Sequence, residues 1–218
     1  MEECRDAAGS EPVFSIVQDP SSRNFAALYA IYESALPSSE RKSRRVLEEM
    51  IGRSDYRFIV ARVRDEIAGF AILFIAQTAR IGLLEYLAVD EQFRGLGLGA
   101  ALFERGRRWV TGGPASRALL IEVEADLVES PERELRARRK NFYRRLGCRE
   151  LTELRYIMPL QGRGTPPAMD LMVWFSGNEI SREQLRAWLV AVYEEVYGCG
   201  RDDPRIDQMI TRECYELS

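Results

Sequence analysis

The sequence predicts one α/β domain with a mixed sheet, followed by a helical C-terminal segment. Two observations carry this expectation. Strand-like and helix-like runs follow one another in the order β-α-α-β-β-β-α-β-α-β-β, an order that places helices against a mixed sheet. The run from Leu83 to Gly99 takes a buried-looking strand directly into an arginine, three glycines and a helical pattern. With 218 residues, 46% of them apolar, the chain is long enough for one sizeable core.

Each element has a local cause. Val13–Val17 reads as the first strand. From Asn24 to Leu36, Phe25, Leu28, Tyr29, Tyr32 and Leu36 recur at spacings of three and four, the period of a helix with one buried face. Pro37 stops that helix, a polar loop follows, and a second helix runs from about Arg44 to Ile51, ending at Gly52. Three strands come next, Tyr56–Val63, Gly69–Gln77 and Ile81–Val89, the first two joined by a short Arg64-Asp65-Glu66 turn. A helix from about Gly99 to Val110 closes at Gly112-Gly113-Pro114. Ala118–Ala125 reads as a strand. Ser130-Pro131-Glu132 has the pattern of an N-cap with proline at the first helical position, and that helix reaches Leu146 with Gly147 as its cap. Strands near Glu150–Met158 and Asp170–Phe175 flank a Gly/Pro-rich loop. Beyond residue 178, Leu185, Trp188, Leu189, Val192, Tyr193 and Val196 form an amphipathic stripe, and a short helix follows Pro204.

Composition excludes several kinds of chemistry. A net charge of -3 gives no case for nucleic-acid binding. The absence of histidine excludes a histidine-based triad. With Cys4, Cys148, Cys199 and Cys214 unpaired in spacing, it also removes the usual zinc sites, so no metal is expected. A general base must then be a carboxylate, cysteine, tyrosine, lysine or relayed water. The segment Met-Glu-Glu-Cys-Arg-Asp lacks the basic stretch and apolar core of a signal peptide, and no apolar run approaches the ~18 residues of a spanning helix. The expectation is a soluble cytoplasmic protein with no membrane partner.

Gly95, Gly97 and Gly99 stand just before a helix, where unencumbered N–H groups and the positive end of the helix dipole favour a phosphate. Arg94 adds a further donor. A dinucleotide fold would use Gly95-x-Gly97-x-x-Ala100, but it expects a strand that opens a βαβ unit, and here three consecutive strands precede the glycines. A P-loop would end in Gly-Lys-Ser/Thr, which is absent.

Leu87-Ala88-Val89, a short acidic spacer, Arg94-x-x-Gly97-x-Gly99 and a helix together resemble the acyl-CoA signature of the GNAT superfamily of N-acetyltransferases. A second element of that family is similar as well: strand Leu119-Leu120-Ile121-Glu122-Val123, then a helix carrying Phe142-Tyr143-Arg144-Arg145-Leu146-Gly147. The resemblance implies a largely antiparallel central sheet with flanking helices over residues 1–178, and makes 179–218 a helical extension packed on the same domain. It implies acetyl-CoA as cosubstrate. The pantetheine arm would lie on the backbone of Leu87, Ala88 and Val89, and the phosphates on Arg94, Gly95, Leu96, Gly97, Leu98 and Gly99. Three positions depart from the family pattern: Arg136 where an asparagine is frequent, Arg139 where a small residue is expected, and Cys148 where phenylalanine is usual. Asn141 is the substitute for the asparagine contact.

By the same resemblance, Tyr143 protonates the leaving thiolate. An alkylammonium acceptor, with pKa ~10.4, must lose a proton before attack. Two carboxylates are candidates for that step. Glu122 matches the position used in ribosomal-protein N-terminal acetyltransferases, and Glu85 shares strand parity with Leu87 and Val89. Burying an unpaired carboxylate inside an apolar run is costly, which favours Glu85 slightly as the acid that faces the acceptor. Tyr32, Glu40 and Arg41 lie where the family commonly admits the acceptor. The expected reaction is direct acetyl transfer to a small-molecule or peptide amine in a ternary complex, by a monomer or homodimer. A catalytically silent acyl-CoA-binding module is the alternative. The arginines and Lys140 between Arg133 and Arg145 read as a solvated helix face.

Overall fold

The computed structural model describes residues 11–112, 117–126, 131–159 and 167–218. Its elements are β1 (Val13–Ile16), α1 (Arg23–Ala35), α2 (Arg44–Ile51), β2 (Tyr56–Val63), β3 (Glu66–Ala76), β4 (Ile81–Val89), α3 (Leu98–Thr111), β5 (Ala118–Glu124), α4 (Arg133–Arg145), β6 (Arg149–Glu150), β7 (Met169–Trp174), β8 (Glu179–Ser181), α5 (Arg182–Ala191), α6 (Pro204–Met209) and β9 (Cys214–Glu216). Seven strands form a mixed, largely antiparallel sheet in the order β1-β2-β3-β4-β5-β7-β6, and β8 pairs with β9 in a separate small sheet. The expectations for the N-terminal segment, Cys4, Gly113-Pro114, Ser130 and most of the Gly/Pro-rich loop lie outside the described residues.

The chain divides into two compact units, one comprising Met1–Ile72 with Tyr86–Phe103 and the other Leu73–Glu85 with Glu104–Ser218. In the first, β1 pairs antiparallel with β2 from Val13↔Arg62 to Ile16↔Ile59. The Ser22 hydroxyl caps α1 by accepting the Phe25 N–H at 3.2 Å, and Phe25, Leu28 and Tyr32 are buried, as their spacing predicts. The turn after β2 is tighter than expected: β3 begins at Glu66, and Arg64 takes φ 54°. Gly69 has a packing reason. A Cβ there would stand 2.7 Å from the Ala88 carbonyl oxygen and 3.1 Å from a Leu102 methyl.

In the second unit β5 pairs with β7 over six residues, from Leu119↔Trp174 to Glu124↔Met169. Its parallel pairing with β4 covers only Ile81–Leu83 against Ala118–Leu120. Helix α4 starts at Arg133, two residues later than the proline signal suggests, and its N-cap Glu132 makes no side-chain cap bond. Its end follows expectation: Gly147 takes φ 84°, Cys148 N–H bonds the Tyr143 carbonyl at 3.0 Å and Gly147 N–H bonds that of Arg144 at 3.0 Å.

The strand expected over Glu150–Met158 shrinks to Arg149–Glu150. Leu154 N–H closes a turn on the Leu151 carbonyl at 3.0 Å, and sheet pairing resumes only as a bridge between Tyr156 and Met169. Leu151, Leu154 and Tyr156 are buried all the same, so their apolar pattern comes from a packed loop. In the tail, α5 is capped by the Ser181 hydroxyl and passes into a single π-helical turn, Val192–Val196. Leu185, Trp188, Leu189, Val192 and Tyr193 are buried, as the stripe predicts. The short strands β8 and β9 are additions to the expected helices.

Candidate active site

In the first unit, β4 leads into a 3-10 turn, Glu91–Phe93, and then into the glycine loop. Asp90 accepts the Gln92 N–H at 2.9 Å, and its own N–H bonds the Ala68 carbonyl at 2.9 Å, which fixes where the strand ends. Gly95 and Gly97 take φ 84° and 75°, a region that favours glycine. A Cβ added at either would meet nothing within 4 Å, so the backbone here is bare and open to a ligand. Leu98 is buried and pins the start of α3, whose first-turn N–H groups have no intrahelical acceptors of their own. The Arg94 side chain is 63% exposed and 3.4 Å from Glu91. This arrangement fits a phosphate group.

The same unit holds the three residues expected at the acceptor. Residues Ser38–Glu40 form a 3-10 turn. Tyr32 is fully buried, and its hydroxyl accepts the Lys42 N–H at 2.7 Å, so what it offers the loop is an anchor. Burial raises that hydroxyl above the ordinary phenol range. Glu40 and Arg41 border the loop, with Arg41 at 4.0 Å from Glu33. Tyr86, which sequence reasoning passed over, joins this group: its ring meets Tyr32 edge-on at 5.0 Å and its hydroxyl donates to the Glu40 carbonyl at 3.3 Å. Lys42 Nζ lies 5.5 Å from the same ring.

The second unit carries the candidate acids and bases. Glu85 is half-buried near the end of the pairing between β4 and β5, with its Oε1 atom closed to solvent. Tyr143 is buried in α4, its ring edge-on to Phe142 at 5.1 Å. Burial raises its hydroxyl above the ordinary phenol range, while Arg139 pulls the other way. Leu135, on the same helix, is 55% exposed. Asn141 is exposed and accepts from Arg144 at 2.8 Å. Cys148 is buried behind α4, and burial pushes its thiol up to about 12.

Glu122, on β5, is clamped. Its Oε1 accepts the Tyr156 hydroxyl and its Oε2 accepts the Tyr197 hydroxyl at 2.6 Å. Nothing near Glu122 in sequence announces either tyrosine, which come from a packed loop and from the tail.

The basic face of α4 needs correction. Lys140 is 3% exposed, and its Nζ stands 2.8 Å from each of Asp126, Glu150 and Asp170. Burial alone would lower this ammonium, but three carboxylates outweigh it and raise it above the ordinary lysine range. Arg136 pairs with Glu124 at 2.8 Å and Glu132 at 3.1 Å, and Arg144 binds Glu150. These charges fasten the Tyr143 helix to β5, β6 and β7. Among the described residues no group of His, Cys, Asp and Glu is placed to hold a metal, and no helix is long and apolar enough to cross a membrane.

A largely antiparallel seven-stranded sheet in which the fourth strand delivers a bare glycine loop to a helix is consistent with the GNAT fold. Residues 54–150 match the family model described as an acetyltransferase (GNAT) domain. A structure from Bacteroides thetaiotaomicron assigned to the GNAT family superposes with a TM-score of 0.69 at 20% identity, over 86% of this chain and 99% of that one. The ribosomal-protein-S18-alanine N-acetyltransferase of Escherichia coli gives 0.53 at 21% identity, over 75% and 91%. An acetyltransferase of Bacillus subtilis in complex with CoA gives 0.50 at 13% identity, over 76% and 99%. At these identities the likeness is one of fold. No curated protein matches the sequence.

Proposed function

We propose that this chain transfers an acetyl group from acetyl-CoA to a primary amine, of a small cationic molecule or a peptide, by direct transfer in a ternary complex. The observation that carries the reading is the pair of positive-φ glycines, Gly95 and Gly97, with open space where a side chain would stand, set between a strand and a helix N-terminus. Backbone N–H groups from Arg94 to Gly99 would hold the phosphates. The backbone of Leu87, Ala88 and Val89 would hold the pantetheine arm, on the part of β4 beyond its last pair with β5 at Leu83. Acetyl-CoA supplies the activated acetyl thioester.

The side chains have separate tasks. Glu85 takes the proton that an alkylammonium must lose, and Glu122 is the second carboxylate in that role. Tyr143 keeps its proton throughout the neutral range because it is buried, which is the property needed of a group that protonates a leaving thiolate. The loop of Glu40 and Arg41, anchored by Tyr32 and Tyr86, borders the acceptor.

Calorimetric titration with CoA, followed by thiol release from acetyl-CoA over a panel of diamines, amino sugars and short peptides, tests the reading. Binding together with amine-dependent release is the expected outcome. Binding without release across the panel points to a silent acyl-CoA-binding module, and no binding removes the cradle.

A further inference from the structure

We propose that Tyr197, carried by the C-terminal segment, is a positioning residue for the carboxylate of Glu122, so that the tail is part of the transfer machinery. This rests on the acetyltransferase reading above. Three tyrosines gather around Glu122: Tyr156, Tyr193 and Tyr197. Tyr193 spends its hydroxyl on the Ile157 carbonyl, and the other two donate to Glu122, one to each oxygen. Leu171 is the partner of Glu122 on β7, and Arg205, 5.4 Å from the Tyr193 ring, is already bound to Asp203 at 2.6 Å.

Two features make this more than a satisfied strand glutamate. First, a carboxylate offers about four lone-pair positions, and two phenols on opposite oxygens take one each. The carboxylate plane is thereby fixed from both oxygens. Second, Tyr197 follows the π-helical turn Val192–Val196, in which its own N–H bonds the Val192 carbonyl at 3.3 Å. Single π turns are uncommon and recur at functional sites, because they re-aim the side chains that follow. Here the re-aimed side chain is the one that reaches Glu122. Tyr156 is 5% exposed whereas Tyr197 is half-buried, so the tail provides the outer of the two donors.

The test uses the full chain labelled with 13C at the glutamate carboxyl carbon, with Glu122→Gln identifying the Glu122 resonance by its loss. In Tyr197→Phe the titration midpoint of that resonance should rise by about one pH unit, because a donor to the ionised form has gone, with the other glutamates unmoved. Tyr156→Phe reads the same resonance from the other oxygen, and serves if Tyr197→Phe folds poorly. Thermal unfolding gives a second measurement: Tyr197→Phe should destabilise the wild type but not the Glu122→Gln background. A midpoint unmoved in both variants, or additive destabilisation, overturns the clamp. Thiol release with 1,4-diaminobutane and with trialanine amide reads the functional link. Tyr197→Phe should lower kcat/KM for the amine at least several-fold and leave the KM for acetyl-CoA alone. An unchanged amine kcat/KM with a shifted midpoint overturns the positioning role. Failure of the acetyltransferase reading looks different: the wild type releases no thiol with any amine of the panel, the positioning role falls with it, and the carboxyl titration still reports on the clamp.

Discussion

Replacing Gly97 with valine separates the cradle from the fold. Gly97 holds φ 75°, and a Cβ built there meets nothing within 4 Å, so the cost is conformational rather than a clash. A side chain in the left-handed region costs about 1–2 kcal/mol. That is a minor part of the ~5–15 kcal/mol typical of a domain, and it lowers Tm by roughly 2–8 °C for a chain of this size. Binding suffers more. If the strained backbone turns even two N–H groups away from a phosphate, the loss at ~1.5–3 kcal/mol for each charge-assisted bond is about 3–6 kcal/mol. That is roughly a 10²–10⁴-fold weaker Kd for CoA. Calorimetry with CoA measures the affinity, and circular dichroism confirms the fold. Gly97→Ala should fall between wild type and Gly97→Val. Gly52→Ala should change neither quantity, since Gly52 has φ -72° and a Cβ there makes only an ordinary 3.6 Å contact. A folded Gly97→Val protein with wild-type CoA affinity would refute the cradle.

Tyr143→Phe should lower kcat by at least ~10²-fold with CoA affinity unchanged, measured by thiol release beside calorimetry; equal rates remove it as the acid. Lys140→Met leaves three carboxylates facing one another and should cost about 3 kcal/mol, roughly 6–12 °C in Tm at neutral pH. The bond to Lys140 lowers the Asp126 carboxyl in the folded state, so its stabilisation is present above the ordinary carboxylate range and is lost as pH falls through the lowered value. The raised Lys140 ammonium adds stability that is already complete below the ordinary lysine range, so the deficit of Lys140→Met should shrink on acidification; urea unfolding at neutral and acid pH would show a constant deficit if the cluster were inert. Gly69→Ala drives a methyl to 2.7 Å from the Ala88 carbonyl oxygen and should destabilise the protein measurably in a thermal melt, unlike Gly52→Ala.

What was legible in the sequence was what is decided locally. The faces of α1 and α5 follow from helical spacing, and the Gly147 cap from one residue's tolerance of positive φ. The glycine loop shows for the same reason. What was hidden depends on partners far apart in the chain. Lys140 looked like one more surface charge because Asp126, Glu150 and Asp170 come from three other stretches of the chain. Tyr197 lies 75 residues from Glu122, and no local pattern links them. The strand expected over Glu150–Met158 failed because burial alone does not require pairing: Leu151 and Leu154 are buried in a turn. Strands β8 and β9, three residues each, are too short to leave a period.

The π turn has a consequence for insertions and deletions. An α-helix advances each residue by about 100°, and a π turn accommodates one residue more than the α ladder needs. Removing a single residue between Val192 and Val196 would restore the α ladder and swing the phenol of Tyr197 about 100° around the helix, away from β5. At this point chain length sets direction: one residue more or less decides whether the phenol of Tyr197 reaches Glu122.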